Sequence, residues 1–173
     1  MRIAILADTH GFLDPRIAEI VTECDVAVHA GDIGGADVLL ALQPRSHVVA
    51  VRGNNDTAEK WSTRELRLLE TLPTEAEIDL PGGKLVVVHG DSAGPAAQRH
   101  EELRRRYPDA RAVAYGPSHL ASLDDSALPW ILNPGAAGRT RTYGGPSCML
   151  LTCSEDRWDV EILQLPPRKY RAL

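Results

Sequence analysis

The chain has no uninterrupted apolar run of about 18 residues, which excludes a transmembrane helix. It has only three cysteines, Cys24, Cys148 and Cys153, and none falls in a Cys-x-x-Cys pattern. They read as free, mostly buried thiols rather than as a Cys148–Cys153 bridge. Neither sign of charge dominates. Nineteen Lys and Arg face 24 Asp and Glu, for a net charge of −5, so charge does not point to a nucleic-acid partner. There is no internal repeat, low-complexity tract or linker. Met1-Arg2-Ile3 leads straight into a strand without the charged, apolar and cleavage regions of a secretory leader, so a cytoplasmic setting is expected. What is there suits one globular domain over residues 1–173: 43% hydrophobic and 25% charged residues.

Ile3-Ala4-Ile5-Leu6-Ala7 is a continuous apolar run that stops abruptly at Asp8-Thr9-His10-Gly11. Such a run, bounded by a turn signal, reads as a buried strand of a parallel sheet. Ligands collect beyond the carboxyl ends of such strands. Asp8 and His10 are two residues apart, so on an extended chain they share a face. Asp14-Pro15 predicts a helix start, with a capping Asp and proline at the first helical position, and the helix fades near Cys24. Asp25 to Ala30 is the next strand and ends in Gly31-Asp32-Ile33-Gly34-Gly35. A short helix over Ala36 to Leu42 stops before Pro44. His47 to Val51 is a third strand, ending in Arg52-Gly53-Asn54-Asn55-Asp56. Three such strand–helix units argue for a parallel core sheet and an α/β fold.

The second half changes character. Thr57 to Leu72 reads as one irregular helix or two short ones. Glu77–Leu80 and Lys84–Val88 flank Pro81-Gly82-Gly83 as a hairpin, ending in His89-Gly90-Asp91. Ala96 to Tyr107 is a helix whose Arg104-Arg105-Arg106 and Glu101-Glu102 suit a solvated face. Arg111 to Tyr115 is a strand ending in Gly116-Pro117-Ser118-His119, and Trp130-Ile131-Leu132 is a short strand. Leu120 to Leu128 reads as a loop. Ser147–Thr152 and Trp158–Leu165 form a closing hairpin, and Pro166 to Tyr170 a loose tail. His29 suits a core or supporting position. His47 and His100 read as bystanders, and the three tryptophans as edge packing.

Five strand ends therefore carry candidate ligands: Asp8 with His10, Asp32, Asn54, His89 and His119. Carboxylates, imidazoles and one amide suit a divalent transition metal (Mn, Fe, Zn, Ni or Co, with Mn favoured) rather than a soft thiolate site. The ordered set Asp8-x-His10, Gly31-Asp32, Gly53-Asn54-x-Asp56, His89-Gly90 and Gly116-x-x-His119 resembles the calcineurin-like metallophosphoesterase superfamily. More narrowly it is similar to the small bacterial and archaeal phosphodiesterase branch, whose late turn Asn133-Pro134-Gly135 also resembles.

The resemblance implies a four-layer α/β/β/α sandwich of two mixed sheets flanked by helices. It implies one or two metals per chain, with Asp32 as bridge. Asp8, His10 and His119 would complete the first shell, and Asn54 and His89 would belong to the second. A hydroxide between the metals would attack phosphorus in line, with Asp32 and Asn54 as the catalytic pair. Three positions depart from the family's usual pattern. Pro117 replaces a metal-binding histidine, which weakens the second site. Asp91 stands where a histidine is common, as a substitute ligand or turn residue. Asn55 stands where many members carry a proton-donating histidine, which favours substrates with good leaving groups. Arg52 and Arg139, beside the strand-end loops, are candidates with Asn55 for holding a small phosphorylated substrate. The alternative is a degenerate member that keeps the fold as a binding or scaffold module. Oligomeric state has no signature in the sequence.

Overall fold

A computed structural model describes residues 1–169. Two mixed five-stranded sheets form the frame. In the first, β1 (Arg2–Leu6), β2 (Val26–His29) and β3 (His47–Ala50) run parallel, and β9 (Ser147–Cys153) and β10 (Trp158–Gln164) are added antiparallel, in the order β10-β9-β1-β2-β3. The second has the order β4-β5-β6-β8-β7, built from β4 (Glu75–Leu80), β5 (Gly83–Val88), β6 (Ala112–Ala114), β7 (Ala121–Asp124) and β8 (Trp130–Pro134). Here β5, β6 and β8 are parallel, and β4 and β7 are antiparallel edges.

Period-two alternation sorts the side chains into three cores. Ile3, Ile5, Val26, Val28, Met149 and Leu151 of the first sheet meet Leu85, Val87, Ala112, Ala114 and Leu132 of the second, making the central layer. Ala4, Leu6, Ala27, Cys148 and Leu150 point the other way, under α1 (Pro15–Thr22), α2 (Ala36–Ala41) and α3 (Leu66–Thr71). Val86, Val113 and Ile131 pack under α4 (Arg99–Arg106). The expected α/β/β/α sandwich is thus what the strands build. Trp158 closes the central layer: its Nε1 donates to the Pro81 carbonyl at 2.7 Å, tying one sheet to the turn of the other.

Local signals behave as their chemistry dictates. Asp14 caps α1, accepting from the Arg16 N–H at 2.9 Å, with proline in the first turn. The 57–72 segment resolves into a 3₁₀ turn at Thr63–Glu65 followed by α3, and α4 is preceded by a similar turn at Ala96–Gln98. All three cysteines are free and buried. One expectation fails. The 120–128 stretch is not wholly loop, because β7 pairs with β8 through Ala121 to Asp124. Ser122 and Asp124 give it no apolar alternation to recognise; as an edge strand it is held by pairing to one side only. Pro166 to Lys169 have no regular structure, and Tyr170 lies outside the described residues. No helix among the described residues is long and apolar enough to cross a membrane.

Candidate metal centre

The strand-end loops stay in register after the strands stop. Asp8 N donates to Gly31 O at 3.0 Å, His10 N to Asp32 O at 3.0 Å, and Gly11 N to Ile33 O at 2.8 Å. The loops after β1 and β2 thus form one plate. The backbone there is strained: Asp8, His10, Asp32 and His119 have φ of 54°, 45°, 55° and 59°. A non-glycine residue in the left-handed region costs on the order of 1–3 kcal/mol, and such residues concentrate at working sites. Gly53 is required for a different reason. A Cβ there would lie 2.2 Å from Asp32 Oδ1 and 2.5 Å from Asp32 N, so only glycine lets the β3 exit approach the β2 exit.

Two donor groups result, each with its ligand atoms within 4.8 Å of one another: Asp8, His10 and His119, and Asp8, Asp32 and His89. His10 Nε2 and His119 Nε2 are 3.2 Å apart, their rings stacked at 5.1 Å between centroids. His119 Nε2 is 3.7 Å from Asp8 Oδ1. Asp32 Oδ2 lies 3.4 Å from His89 Nε2 and 3.9 Å from His10 Nε2, so it faces both groups. Two imidazole nitrogens on one ion, each at about 2.1 Å, can be at most about 4.2 Å apart. The histidine pair meets that bound. Both Asp8 carboxylate oxygens and His89 Nε2 are buried with no hydrogen-bond partner. Such atoms are costly in a folded chain unless something else satisfies them. A divalent cation fits this donor set.

Surrounding bonds aim the donors. His89 Nδ1 donates to Ala30 O at 2.9 Å and His119 Nδ1 to Thr140 O at 3.3 Å, leaving each Nε2 turned inward. Asn55 holds Asp32 with its backbone N–H (2.9 Å) and its Nδ2 (2.8 Å). The Asn55 Oδ1 in turn accepts from Lys60. Asp56 accepts from Gly53 N (2.8 Å), Gly34 N (2.9 Å), Ile33 N (3.1 Å) and Trp61 Nε1 (3.1 Å), pinning the β2 and β3 exits together. His29 Nδ1 accepts from Gly31 N at 3.2 Å, and its Nε2 donates to Thr9 Oγ1 at 2.9 Å, while Thr9 donates to Ile33 O.

Charge follows burial and pairing. Burial pushes Asp8 up to about 8, against the pull of His89. Burial would also raise Asp32, but His89 and the Asn55 hydrogen bonds outweigh it and hold the carboxyl well below its usual range. Burial would lower His89, yet the adjoining Asp32 and Asp8 carboxylates raise it to about 9. His10 and His119 are lowered, chiefly by burial.

Asp8, His10, Asp32, His89 and His119 thus converge. Asn54 and Asp91 sit on the wall of an adjoining cleft of about 360 Å³, together with His89, Arg52, Arg106 and Tyr107. Among the described residues, neither Asp91 nor any other acidic residue extends the two donor groups. Arg139 stacks its guanidinium on Phe12 at 4.8 Å. Among the described residues, the arginine that touches the cluster is Arg141, whose Nη2 is 3.2 Å from His119 Nε2. Asp56 stands within the Gly53-Asn54-x-Asp56 motif, but its role as acceptor for four N–H groups is not readable there, and Lys60 and Arg141 carry no sequence signal. His100 is more than a bystander: it bridges Asp124 (2.8 Å) and the Tyr115 hydroxyl (2.9 Å), latching α4 to the second sheet.

Residues 1–156 match the family model described as the calcineurin-like phosphoesterase superfamily domain. The chain belongs to that superfamily. Two curated relatives are named as probable metallophosphoesterases. That of Methanothermobacter thermautotrophicus is 26% identical over 178 residues, 95% of this chain and 92% of that one. That of Methanocaldococcus jannaschii is 26% identical over 142 residues, 79% of this chain and 68% of that one. Among solved structures, zinc-complexed Vps29 of Entamoeba histolytica superposes with a TM-score of 0.72 at 17% identity, covering 96% of this chain and 99% of that one. An archaeal phosphodiesterase superposes with a TM-score of 0.70 at 20% identity, covering 94% and 100%. At these identities the structural likenesses establish the fold. The calcineurin-like family itself implies divalent metal ions, which the donor groups here suit.

Proposed function

We propose that this calcineurin-like chain is a metal-dependent phosphodiesterase. The observation that carries the reading is the pair of buried Asp8 carboxylate oxygens that accept no hydrogen bond, at the point where both donor groups meet, beside the His89 Nε2 that Asp32 Oδ2 approaches at 3.4 Å. Asp8, His10 and His119 would hold one divalent ion. Asp32 and His89, with Asn54 from the cleft wall, would hold a second, and Asp32 would serve both. When bound, such ions neutralise developing charge on phosphoryl oxygens and make water a nucleophile near neutral pH. Carboxylate and imidazole donors without thiolate favour Mn²⁺ as the first ion to try.

The chain's own residues supply aim. Asn55 fixes the Asp32 carboxylate through both its oxygens, and Lys60 fixes Asn55. With Asn55 committed in this way and carrying no acidic proton, leaving-group protonation there is absent, which favours diesters with good leaving groups. The cleft beside His89 and Asn54 gives space for an ester arm, with Arg52 at its rim and Tyr107 in its wall. The fold is shared by zinc-complexed Vps29 and by an archaeal phosphodiesterase; the convergence of Asp8, His10, Asp32, His89 and His119 is what supports the hydrolase reading here.

The test compares bis(p-nitrophenyl) phosphate with p-nitrophenyl phosphate under added Mn²⁺, in wild type and Asp32→Ala. The expected result is faster diester cleavage, lost to background in the variant. Undiminished cleavage by Asp32→Ala overturns the shared-carboxylate reading. Preferred monoester cleavage overturns the diester assignment.

A further inference from the structure

The loop after β8 runs from Gly135 to Pro146 and reaches His119 of the cluster. It is seated on the loop carrying His10: a Cβ at Gly138 would lie 2.5 Å from Thr9 O and 2.8 Å from Phe12 O. From this anchor two successive residues reach His119. Thr140 O accepts from Nδ1 at 3.3 Å, and Arg141 Nη2 is 3.2 Å from Nε2. One dipeptide therefore clasps both nitrogens of a single imidazole. Arg141 adopts φ of 50°, a left-handed conformation that arginine takes at a cost.

Its guanidinium meets an imidazole nitrogen, where those of Arg99 and Arg111 meet backbone carbonyls. Arg16, Arg45, Arg104, Arg105, Arg106 and Arg157 each pair with a carboxylate. Arg141 instead faces a ring nitrogen, that of His119, which itself lies 3.7 Å from Asp8 Oδ1 and 3.2 Å from His10 Nε2. That nitrogen is one of the cluster's donor atoms. Once its lone pair is committed to a cation, the Arg141 N–H needs another acceptor. A cation beside it would repel the guanidinium unless an anion sat between them. A phosphoryl group held at the cluster is an acceptor of the right charge, and its oxygens match the planar fork of arginine.

We propose that Arg141 grips the phosphoryl oxygens of substrate and product, while the Thr140 carbonyl keeps the His119 ring turned toward the ion. The assignment rests on the phosphoesterase reading above and replaces Arg139, whose guanidinium lies on Phe12. It concerns binding and orientation of the phosphoryl group, with no proton or electron moved by Arg141.

Inorganic phosphate is the probe. Its affinity for the Mn²⁺-loaded protein is measured by calorimetry in wild type, Arg141→Ala, Arg141→Lys and Arg139→Ala, with bound metal quantified in each sample. Removing charged hydrogen bonds predicts a loss of about ten- to a hundredfold in Arg141→Ala. Arg141→Lys, a point charge without the fork, should be intermediate. Metal content should stay at the wild-type level, and diester turnover should fall through KM at least as much as through kcat. Unchanged phosphate affinity in Arg141→Ala overturns the proposal, as does a loss confined to Arg139→Ala. A fall in metal content that accounts for the whole loss also overturns it, because Arg141 would then only hold His119. These outcomes are separable from the phosphodiesterase reading, which wild-type diester cleavage decides on its own.

Discussion

At the residue scale, His29 shows how a supporting group carries a pH signature. It is completely buried and bonded on both nitrogens, and burial lowers its pKa to about 4. The folded chain therefore binds fewer protons here than the unfolded chain, in which the pKa is about 6.5. The stability it contributes is complete above about pH 6.5 and drains away as pH falls toward 4, amounting to about 3 kcal/mol. Urea unfolding of metal-free protein at pH 7 and pH 4 should show that loss in wild type and a smaller one in His29→Gln. Equal acid sensitivity would remove His29 from the account. Its role was partly legible: a histidine inside an apolar strand suggests a satisfied core position, but not which bonds satisfy it. Asp8, His10, Asp32, His89 and His119 were legible because each interrupts an apolar run at a glycine-bearing turn. Arg141 was not, because a loop rich in Gly, Thr and Arg has no pattern that says which arginine turns inward.

At the scale of elements, the site depends on how the β2 and β3 exits meet. Asp56 gathers four N–H donors from Ile33, Gly34, Gly53 and Trp61. Asp56→Ala would leave these donors without their acceptor, at a cost of roughly 3 kcal/mol or more. Thermal or urea unfolding should show it, together with weakened metal retention, since Asp32 lies between Gly31 and Ile33. Gly53→Ala should act more locally. The new methyl would collide with the Asp32 backbone N and carboxylate. The expected outcome is a folded protein that loses metal, read by metal analysis beside circular dichroism. Full metal content in Gly53→Ala would contradict the packing described. The glycine was visible in the sequence as part of a strand-end turn. The reason for it was not, because a close approach between two loops is a tertiary fact. β7 was missed for a related reason, since an edge strand is defined by its partner rather than by its own alternation.

At the scale of the molecule, the fold is two sheets sharing one dry layer, and the metal cluster sits where strand ends from both sheets come together. Asp8, His10 and Asp32 belong to the first sheet's loops, and His89 and His119 to the second's. The sandwich must therefore close for either donor group to exist. Leu151, fully buried in the shared layer, is far in sequence from every donor. Leu151→Ala should cost about 2–5 kcal/mol of stability. Metal content per folded molecule should stay at the wild-type level, measured by denaturant titration and metal analysis together. A selective loss of metal from a stably folded variant would mean that the layer tunes the site directly. Sheet count and order of motifs were readable from strand-and-turn patterning and family resemblance. The pairing across the layer was not, since an apolar run does not state which face meets which partner.

The Asp8–Asp32 cluster is the proposed seat of metal-dependent phosphodiester cleavage. The most direct test is the initial rate of bis(p-nitrophenyl) phosphate cleavage by chelator-stripped protein as Mn²⁺ is titrated back. The expected rate starts at background and rises to saturation as metal binds, with Asp32→Ala flat throughout. A rate indifferent to metal, or no cleavage by folded protein at full occupancy, would contradict it.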